Sequence, residues 1–308
     1  MRGAVVTGWG TALPDKVVTN EDLSARLDTS DAWITERTGI KERRIGGTTS
    51  GLAVEAGRRA LERAGRRAEE IDLLVLATAT PDALVPGTSA TVQDALGVAG
   101  GAFDVNAACS GFVYALVAAH GLVLAGAERV LVIGSETLSR ITDFDDRSIA
   151  VLVGDGAGAV VLEATEGPGQ LLAWDLGADG SLRSLLSCDH GGYLYMNGRE
   201  IFRHAVHAVV SSSQKALRRA GLSVSDVDLF VPHQANARII SAAGQRLGIP
   251  PERWVVTIDR YGNTSSASIP LALADALDTG RLRPGGIALL SGFGGGMTWA
   301  SAVLRWGG

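Results

Sequence analysis

Cysteine is scarce in this chain: Cys109 and Cys188 are the only two in 308 residues. Two cysteines do not make a disulfide framework, so the chain suits a reducing interior, and the cytoplasm is the expected compartment. Aromatic residues make up 5% and charged residues 20%, against 46% apolar residues and 40 glycines. That balance excludes a disordered chain and points to the tightly packed interior of an α/β enzyme. Positive charge is short too. A net charge of −5 and a pI near 5.6 leave no large cationic surface for nucleic acid, so no nucleic-acid partner is expected. Long apolar runs are missing as well. The stretch after Met1-Arg2 is broken by Gly8, Gly10 and Pro14 and reads as a strand and loop rather than a signal peptide. The most apolar helix, near Gly111 to Ala125, carries His120 and is too short to span a bilayer, so no membrane association is expected. Nor do the five histidines suggest a metal: His204 and His207 share a helix face but have no third ligand in view.

What is present is organised as a duplication. Ala60-Leu-Glu-Arg-Ala-Gly followed by Ile71-Asp-Leu-Leu-Val returns as Ala216-Leu-Arg-Arg-Ala-Gly followed by Val227-Asp-Leu-Phe-Val. Each copy is an amphipathic helix closed by glycine, an acidic turn and a buried strand. A further helix follows in each, Ser89 to Leu96 and Ala237 to Leu247, and then a second strand. In the first copy that strand leads to Cys109; in the second, Val255-Val-Thr-Ile-Asp is predicted as the strand, and Asn263 takes the cysteine's place. The expected architecture is two α/β halves, 1–165 and 166–308, divided at the turn residues of 164–169. Their equivalent loops then face each other across a pseudo-twofold axis, where a shared site can form.

Cys109 lies in Ala102-Phe-Asp-Val-Asn-Ala-Ala-Cys, between a short strand and a long apolar helix. A helix start carries unpaired N–H groups and partial positive charge, so this elbow predicts a nucleophile held as thiolate. His233 stands just beyond a strand's carboxyl end, where α/β sites gather. Gly294 to Gly296 interrupt two strands near the chain's end and read as backbone donors to an oxyanion. Neither this cluster nor Gly154-Asp-Gly-Ala-Gly is a nucleotide loop, because each runs into a strand and the first has no lysine. A cysteine joined by histidine and asparagine, with no carboxylate orienting the histidine, offers neutral donors to a developing enolate. That set favours decarboxylative carbon–carbon bond formation over hydrolysis.

At these residues the chain resembles the β-ketoacyl-[acyl-carrier-protein] synthase III family of the thiolase-like superfamily. The resemblance runs from Ala4-Val-Val-Thr-Gly-Trp-Gly to Ala302-Val-Leu-Arg-Trp. It rests on Asp31-Ala-Trp-Ile-Thr-Glu-Arg-Thr-Gly-Ile, Ala107-Ala-Cys-Ser-Gly-Phe, Pro232-His-Gln-Ala-Asn-Ala-Arg-Ile, Gly262-Asn-Thr-Ser and Phe293-Gly-Gly-Gly-Met-Thr-Trp in that order. It implies a five-layered αβαβα body and a ping-pong acyltransferase that initiates type II fatty-acid synthesis. Cys109 would take an acyl group from acyl-coenzyme A, and malonyl-acyl-carrier protein would then condense with it under the assistance of His233 and Asn263. The amides of Cys109 and Gly295 would form the oxyanion hole. Trp33, Arg37 and Thr38, with Arg147, Gly198, Phe202 and Asn236, would bind coenzyme A. Gln234, Ala235, Asn236, Arg238, Arg203 and Arg246 would receive the acyl carrier protein. Coenzyme A enters as substrate, and no cofactor or metal is implied.

The resemblance also implies a homodimer, and Val85 stands where some relatives close the primer pocket across the dimer interface with phenylalanine, which suggests room for branched or longer primers. The segment between Asp175 and Met196 looks shorter than in many relatives. A thiolase is disfavoured, since the C-terminal glycine loop holds Ser291 and no cysteine. A polyketide starter or specialised acyltransferase relative shares the same framework and stays open. A non-enzymatic carrier-protein-binding paralogue is disfavoured by the joint presence of Cys109, His233 and Asn263.

Overall fold

The computed structural model describes residues 2–307. In the first half, β1 (Arg2–Ala12) leads by way of α1 (Thr49–Ala64) to β2 (Leu73–Ala77), α2 (Thr88–Leu96), β3 (Gly101–Val105), α3 (Gly111–Leu124), β4 (Arg129–Thr137) and β5 (Asp155–Glu166). The second half holds β6 (Leu171–Ala178), α4 (Gly198–Arg219), β7 (Leu229–Pro232), α5 (Ala237–Leu247), α6 (Ser268–Asp278), β8 (Ile287–Gly294) and β9 (Thr298–Arg305).

The duplication read from the sequence is visible in the sheets. The first has the order β1-β5-β4-β2-β3 and the second β6-β9-β8-β7. In both, the strand that follows the repeated helix pairs in parallel with the strand that follows the central helix; β2 also pairs in parallel with β3, and the remaining pairs are antiparallel. The repeated helices owe their ends to local chemistry. The Thr48 side chain accepts from the Gly51 N–H at the start of α1, and Gly65 closes it at φ 64°; the Asn197 side chain opens α4 in the same way.

Three apolar clusters mark the layers. One joins α1 and α2 to the outer face of the first sheet, and another joins α4 and α5 to the outer face of the second. Between the sheets lie α3 and α6, buried on most sides, with residues such as Phe112, Leu116, Ile269 and Leu273. A helix apolar all round is stable only in such a position. The family resemblance implies five layers, and five layers are present. Among the described residues no helix is long and apolar enough to cross a membrane.

One predicted strand is absent. Val255-Val-Thr-Ile-Asp makes only an isolated bridge to β7, between Trp254 and Phe230, and a helical turn begins at Ile258. The reason is the Gln234 side chain. Its Nε2 donates to the Pro232 and Val255 carbonyls, and its Oε1 accepts from the N–H groups of Thr257 and Ile258. A side-chain amide thus does the work of a strand ladder and turns the chain toward Asn263.

Candidate active site

The first half supplies the nucleophile's elbow. After β3 the Asn106 Oδ1 accepts from the Ala108 N–H, and Ala108 takes a left-handed φ of 47°. Cys109 then sits on a short turn, Ala108–Ser110, that runs straight into α3. The glycine loop packs against this elbow: a Cβ on Gly294 would lie 2.5 Å from the Cys109 nitrogen, so only glycine fits there. Thr298 ties the loop down, its Oγ1 meeting the Ala107 carbonyl and the Ser110 hydroxyl at 2.8 Å each.

The second half supplies two neutral donors. His233 follows β7, and its N–H continues the parallel pairing by donating to Ser291. The imidazole is 2% exposed, and burial pushes it down to about 3, so it is neutral throughout the physiological range. Its Nδ1 lies 2.6 Å from Ser268 Oγ, which also accepts from the Gln234 N–H. With the Ser268 hydroxyl hydrogen assigned to Nδ1, its one available acceptor among the described contacts, the proton of the ring is on Nε2. Asn263 is stitched to the first half through its backbone, its N–H donating to Leu152 and its carbonyl accepting from Gly154. Its Oδ1 accepts from the Ser265 N–H at 2.9 Å, which directs the amide's NH2 to act as donor.

Cys109, His233 and Asn263 line one cavity of about 720 Å³, together with Gly295, Ser265 and Phe293. Toward the surface the same cavity is lined by Arg37, Gly198, Phe202, Ala235, Asn236 and Arg238. Beside this mouth Trp33 is flanked by the guanidinium groups of Arg37 and Arg147, each 4.9 Å from the ring centroid. Arg238 stands over the Phe202 ring at 5.8 Å, while Arg203 and Arg246 are exposed outside the cavity. The segment between Asp175 and Met196 contributes Leu186, Ser187, Cys188 and Leu194 to the cavity wall.

Several expectations are corrected. Against the expected thiolate, burial pushes the Cys109 thiol up to about 12, and Glu136 adds to the rise, while the Ser265 hydroxyl and the residue's own N–H act the other way. Gln234 is 1% exposed and spends its side chain inside the fold, so it cannot touch a carrier protein. Thr38 is buried too, its hydroxyl donating to Ile34 and accepting from the Ile40 N–H, and it does not face coenzyme A. Val85, expected to act across a dimer interface, lies outside its own chain's cavity and is 87% exposed. Glu136, Ser265 and Ser268 were not singled out in the sequence. Ser265 and Ser268 share a serine-rich run with Asn263, and Glu136 is one acid at the end of an apolar strand, a pattern that signals a buried carboxylate.

Comparison with known proteins agrees with the geometry. The family described as 3-oxoacyl-[acyl-carrier-protein (ACP)] synthase III matches residues 103–180, and its C-terminal part matches residues 217–306. A β-ketoacyl-[acyl-carrier-protein] synthase III of Erythrobacter litoralis is 54% identical, with 98% of this chain and 99% of the relative aligned. The crystal structure of 3-oxoacyl-[acyl-carrier-protein] synthase III from Aquifex aeolicus superposes with a TM-score of 0.97 at 47% identity, covering 99% of this chain and 100% of that one. The priming β-ketosynthase of the R1128 polyketide pathway superposes with a TM-score of 0.94 at 38% identity, covering 99% and 97%.

Proposed function

The chain belongs to the 3-oxoacyl-[acyl-carrier-protein] synthase III family, and from that premise we propose how its own residues carry out the initiating condensation of fatty-acid synthesis. It is an acyltransferase. Cys109 attacks the thioester of acyl-coenzyme A, the carbonyl oxygen is held by the amides of Cys109 and Gly295, the bond from the acyl carbon to the coenzyme A sulfur breaks, and the acyl group passes to Cys109 while the thiol proton leaves with free coenzyme A. Malonyl-acyl-carrier protein then enters the same cavity and loses carbon dioxide. The enolate oxygen accepts from His233 Nε2–H and the Asn263 amide, its carbon attacks the acyl–cysteine, and the bond to Cys109 breaks to give 3-oxoacyl-carrier protein and, with a proton taken up, the free thiol. Acyl and proton transfers make up the whole sequence, so it calls for no redox cofactor or metal.

The observation that carries this reading is a pair of neutral donors beside a cysteine in one buried cavity. A charged imidazole is not needed, since a fixed neutral donor in a water-poor site stabilises an oxyanion with little reorganisation. Coenzyme A is assigned to the mouth at Trp33, Arg37, Arg147, Gly198, Phe202 and Asn236, where an aromatic face and cations suit adenine and phosphate. The acidic carrier protein is assigned to Arg238 with Arg203 and Arg246, next to Ala235 and Asn236. A homodimer through β3 is part of the proposal: β3 is the edge of its sheet, Phe103 on it is exposed, and so are Leu84 and Val85 nearby. The experiment is transfer of a labelled acyl group from coenzyme A to the protein. Label is expected on Cys109 and none after Cys109→Ser; label that survives the substitution refutes the assignment.

A further inference from the structure

One buried acid takes no part in the condensation. Glu136, next to last in β4, has no exposure, and among the described residues no arginine or lysine forms an ion pair with it. A carboxylate kept inside a core without a cation must be supplied with hydrogen bonds. Its Oε2 accepts from the hydroxyls of Thr80 at 2.6 Å and Thr78 at 3.2 Å, and the Ala79 N–H reaches both oxygens at 3.1 Å. Its Oε1 accepts from the Ser265 hydroxyl at 2.9 Å and the Ser266 N–H at 3.3 Å, with the Ser266 hydroxyl at 2.8 Å and also 2.9 Å from the Ala77 carbonyl. The first set belongs to the turn after β2, in the half that carries Cys109. The second belongs to the residues directly after Asn263. Burial lifts the carboxyl above the usual range, and these donors work against the rise.

What the acid holds is the turn that aims Asn263. Ser265 is a non-glycine residue at φ 47°, in the left-handed region, and such a conformation persists only where surrounding bonds fix it. Two bonds to Glu136 do so, one from the Ser265 hydroxyl and one from the next N–H along the chain. β4 comes close to the turn because position 134 is glycine: a Cβ there would lie 2.4 Å from the Ser266 carbonyl oxygen. The Ser265 N–H in turn donates to Asn263 Oδ1 at 2.9 Å. A backbone N–H can only donate, so the atom it meets is the oxygen of the carboxamide, and the NH2 is left as the donor end. Rotated by half a turn, the same carboxamide would set its oxygen against the enolate oxygen, and repulsion would replace a hydrogen bond.

We propose that Glu136 is a positioning residue for decarboxylation: through Ser265 it fixes which end of the Asn263 carboxamide meets the enolate. It touches no substrate. The connection consists of two consecutive bonds, from the Ser265 hydroxyl to Glu136 and from the Ser265 N–H to Asn263, and it involves no proton transfer. A carboxylate suits the place better than an amide, because donors meet both of its oxygens and glutamine would turn its own NH2 toward either the Ser265 or the Thr80 hydroxyl. The Thr80 hydroxyl already accepts from the Thr137 N–H, so its hydrogen is free for the acid. Glu136 belongs to the sheet whose edge strand, β3, leads to Cys109. Asn263 comes from the second half, yet its orientation is set from the half that holds the nucleophile.

The inference rests on Asn263 acting as a donor to the enolate, so the donor and its support are tested separately. Carbon dioxide release from labelled malonyl-carrier protein and label transfer from acyl-coenzyme A are measured on the same preparations, and the ratio of the two rates is followed. Asn263→Ala lowers that ratio about a hundredfold. Glu136→Gln lowers it about tenfold, because the donor is misdirected and not removed. Added to Asn263→Ala, Glu136→Gln lowers it no further, since the two residues act as one unit. An acid that only stabilised the fold would weaken both half-reactions together and leave the ratio at the wild-type value. That result overturns the proposal, and so do losses that add in the double variant. If Glu136→Gln does not yield folded protein, Ser265→Ala decides: it removes one bond to Oε1 and keeps the others of Glu136, and the ratio falls about fivefold, whereas an unchanged ratio overturns the proposal. An unchanged ratio in Asn263→Ala itself refutes the donor role, and the inference with it.

Discussion

Replacing Ser268 by alanine removes a group that never meets substrate, and the size of the effect follows from two bonds. Its hydroxyl fixes the proton of His233 on Nε2 through a 2.6 Å contact with Nδ1, and accepts from the Gln234 N–H at 3.2 Å. Loss of the first bond weakens the orientation of the imidazole by about 1 kcal/mol, which slows malonyl decarboxylation about fivefold. Loss of the second strands a buried N–H and lowers stability by about 1–3 kcal/mol. His233→Ala removes the donor itself, and decarboxylation falls by about 10²–10³, the range for one oxyanion donor. Neither change acts on the attack by cysteine, so self-acylation stays within a few-fold of wild type. The assay measures carbon dioxide release from labelled malonyl-carrier protein and, separately, label transfer to Cys109. Equal losses in the two half-reactions refute the assignment of His233 to the enolate. A Ser268→Ala loss as deep as that of His233→Ala refutes the argument that the serine only orients the ring.

The buried imidazole also predicts an acid-sensitive fold. Folding lowers His233 from 6.5 to about 3, so between those values the unfolded chain binds a proton that the folded chain does not, and stability falls as pH falls. Urea unfolding at pH 7 and pH 5 should lose about 2 kcal/mol more in wild type than in His233→Asn, and equal losses would contradict it. Gln234→Ala leaves two buried N–H groups and two carbonyls without their partner, and should lower stability by about 3 kcal/mol or more; a melting temperature unchanged from wild type would show that the clamp is dispensable. Val85→Phe should shift primer competition from isobutyryl- toward acetyl-coenzyme A if Val85 enters the tunnel of a second copy, while unaltered preference would place the residue outside it.

Much of the architecture was legible because it is written locally. Helix periodicity, a glycine at each helix end and the recurrence of Ala-Leu-Glu-Arg-Ala-Gly as Ala-Leu-Arg-Arg-Ala-Gly marked two like halves, and the apolar run of α3 marked a helix with no wet face. Cys109, His233 and Asn263 were legible for the same reason, each lying at the end of an element that the pattern placed. Val255 to Asp259 misled because its apolar residues do alternate into the core, but a distant glutamine amide takes the backbone bonds a neighbouring strand would have made. The surface role expected of Gln234 failed with it.

Residue order alone therefore marked the two like halves and singled out Cys109, His233 and Asn263 as candidates, since these depend on periodicity and on residue type at an element's end. Charge state and access were decided only when distant segments met. Burial pushed the Cys109 thiol up and left His233 neutral, Ser268 chose the nitrogen that carries the proton, and Glu136 was joined to the turn after Asn263 across the two halves. Desolvation and hydrogen bonding depend on what surrounds a group in space, and that information is spread over the whole chain rather than carried by any stretch of it.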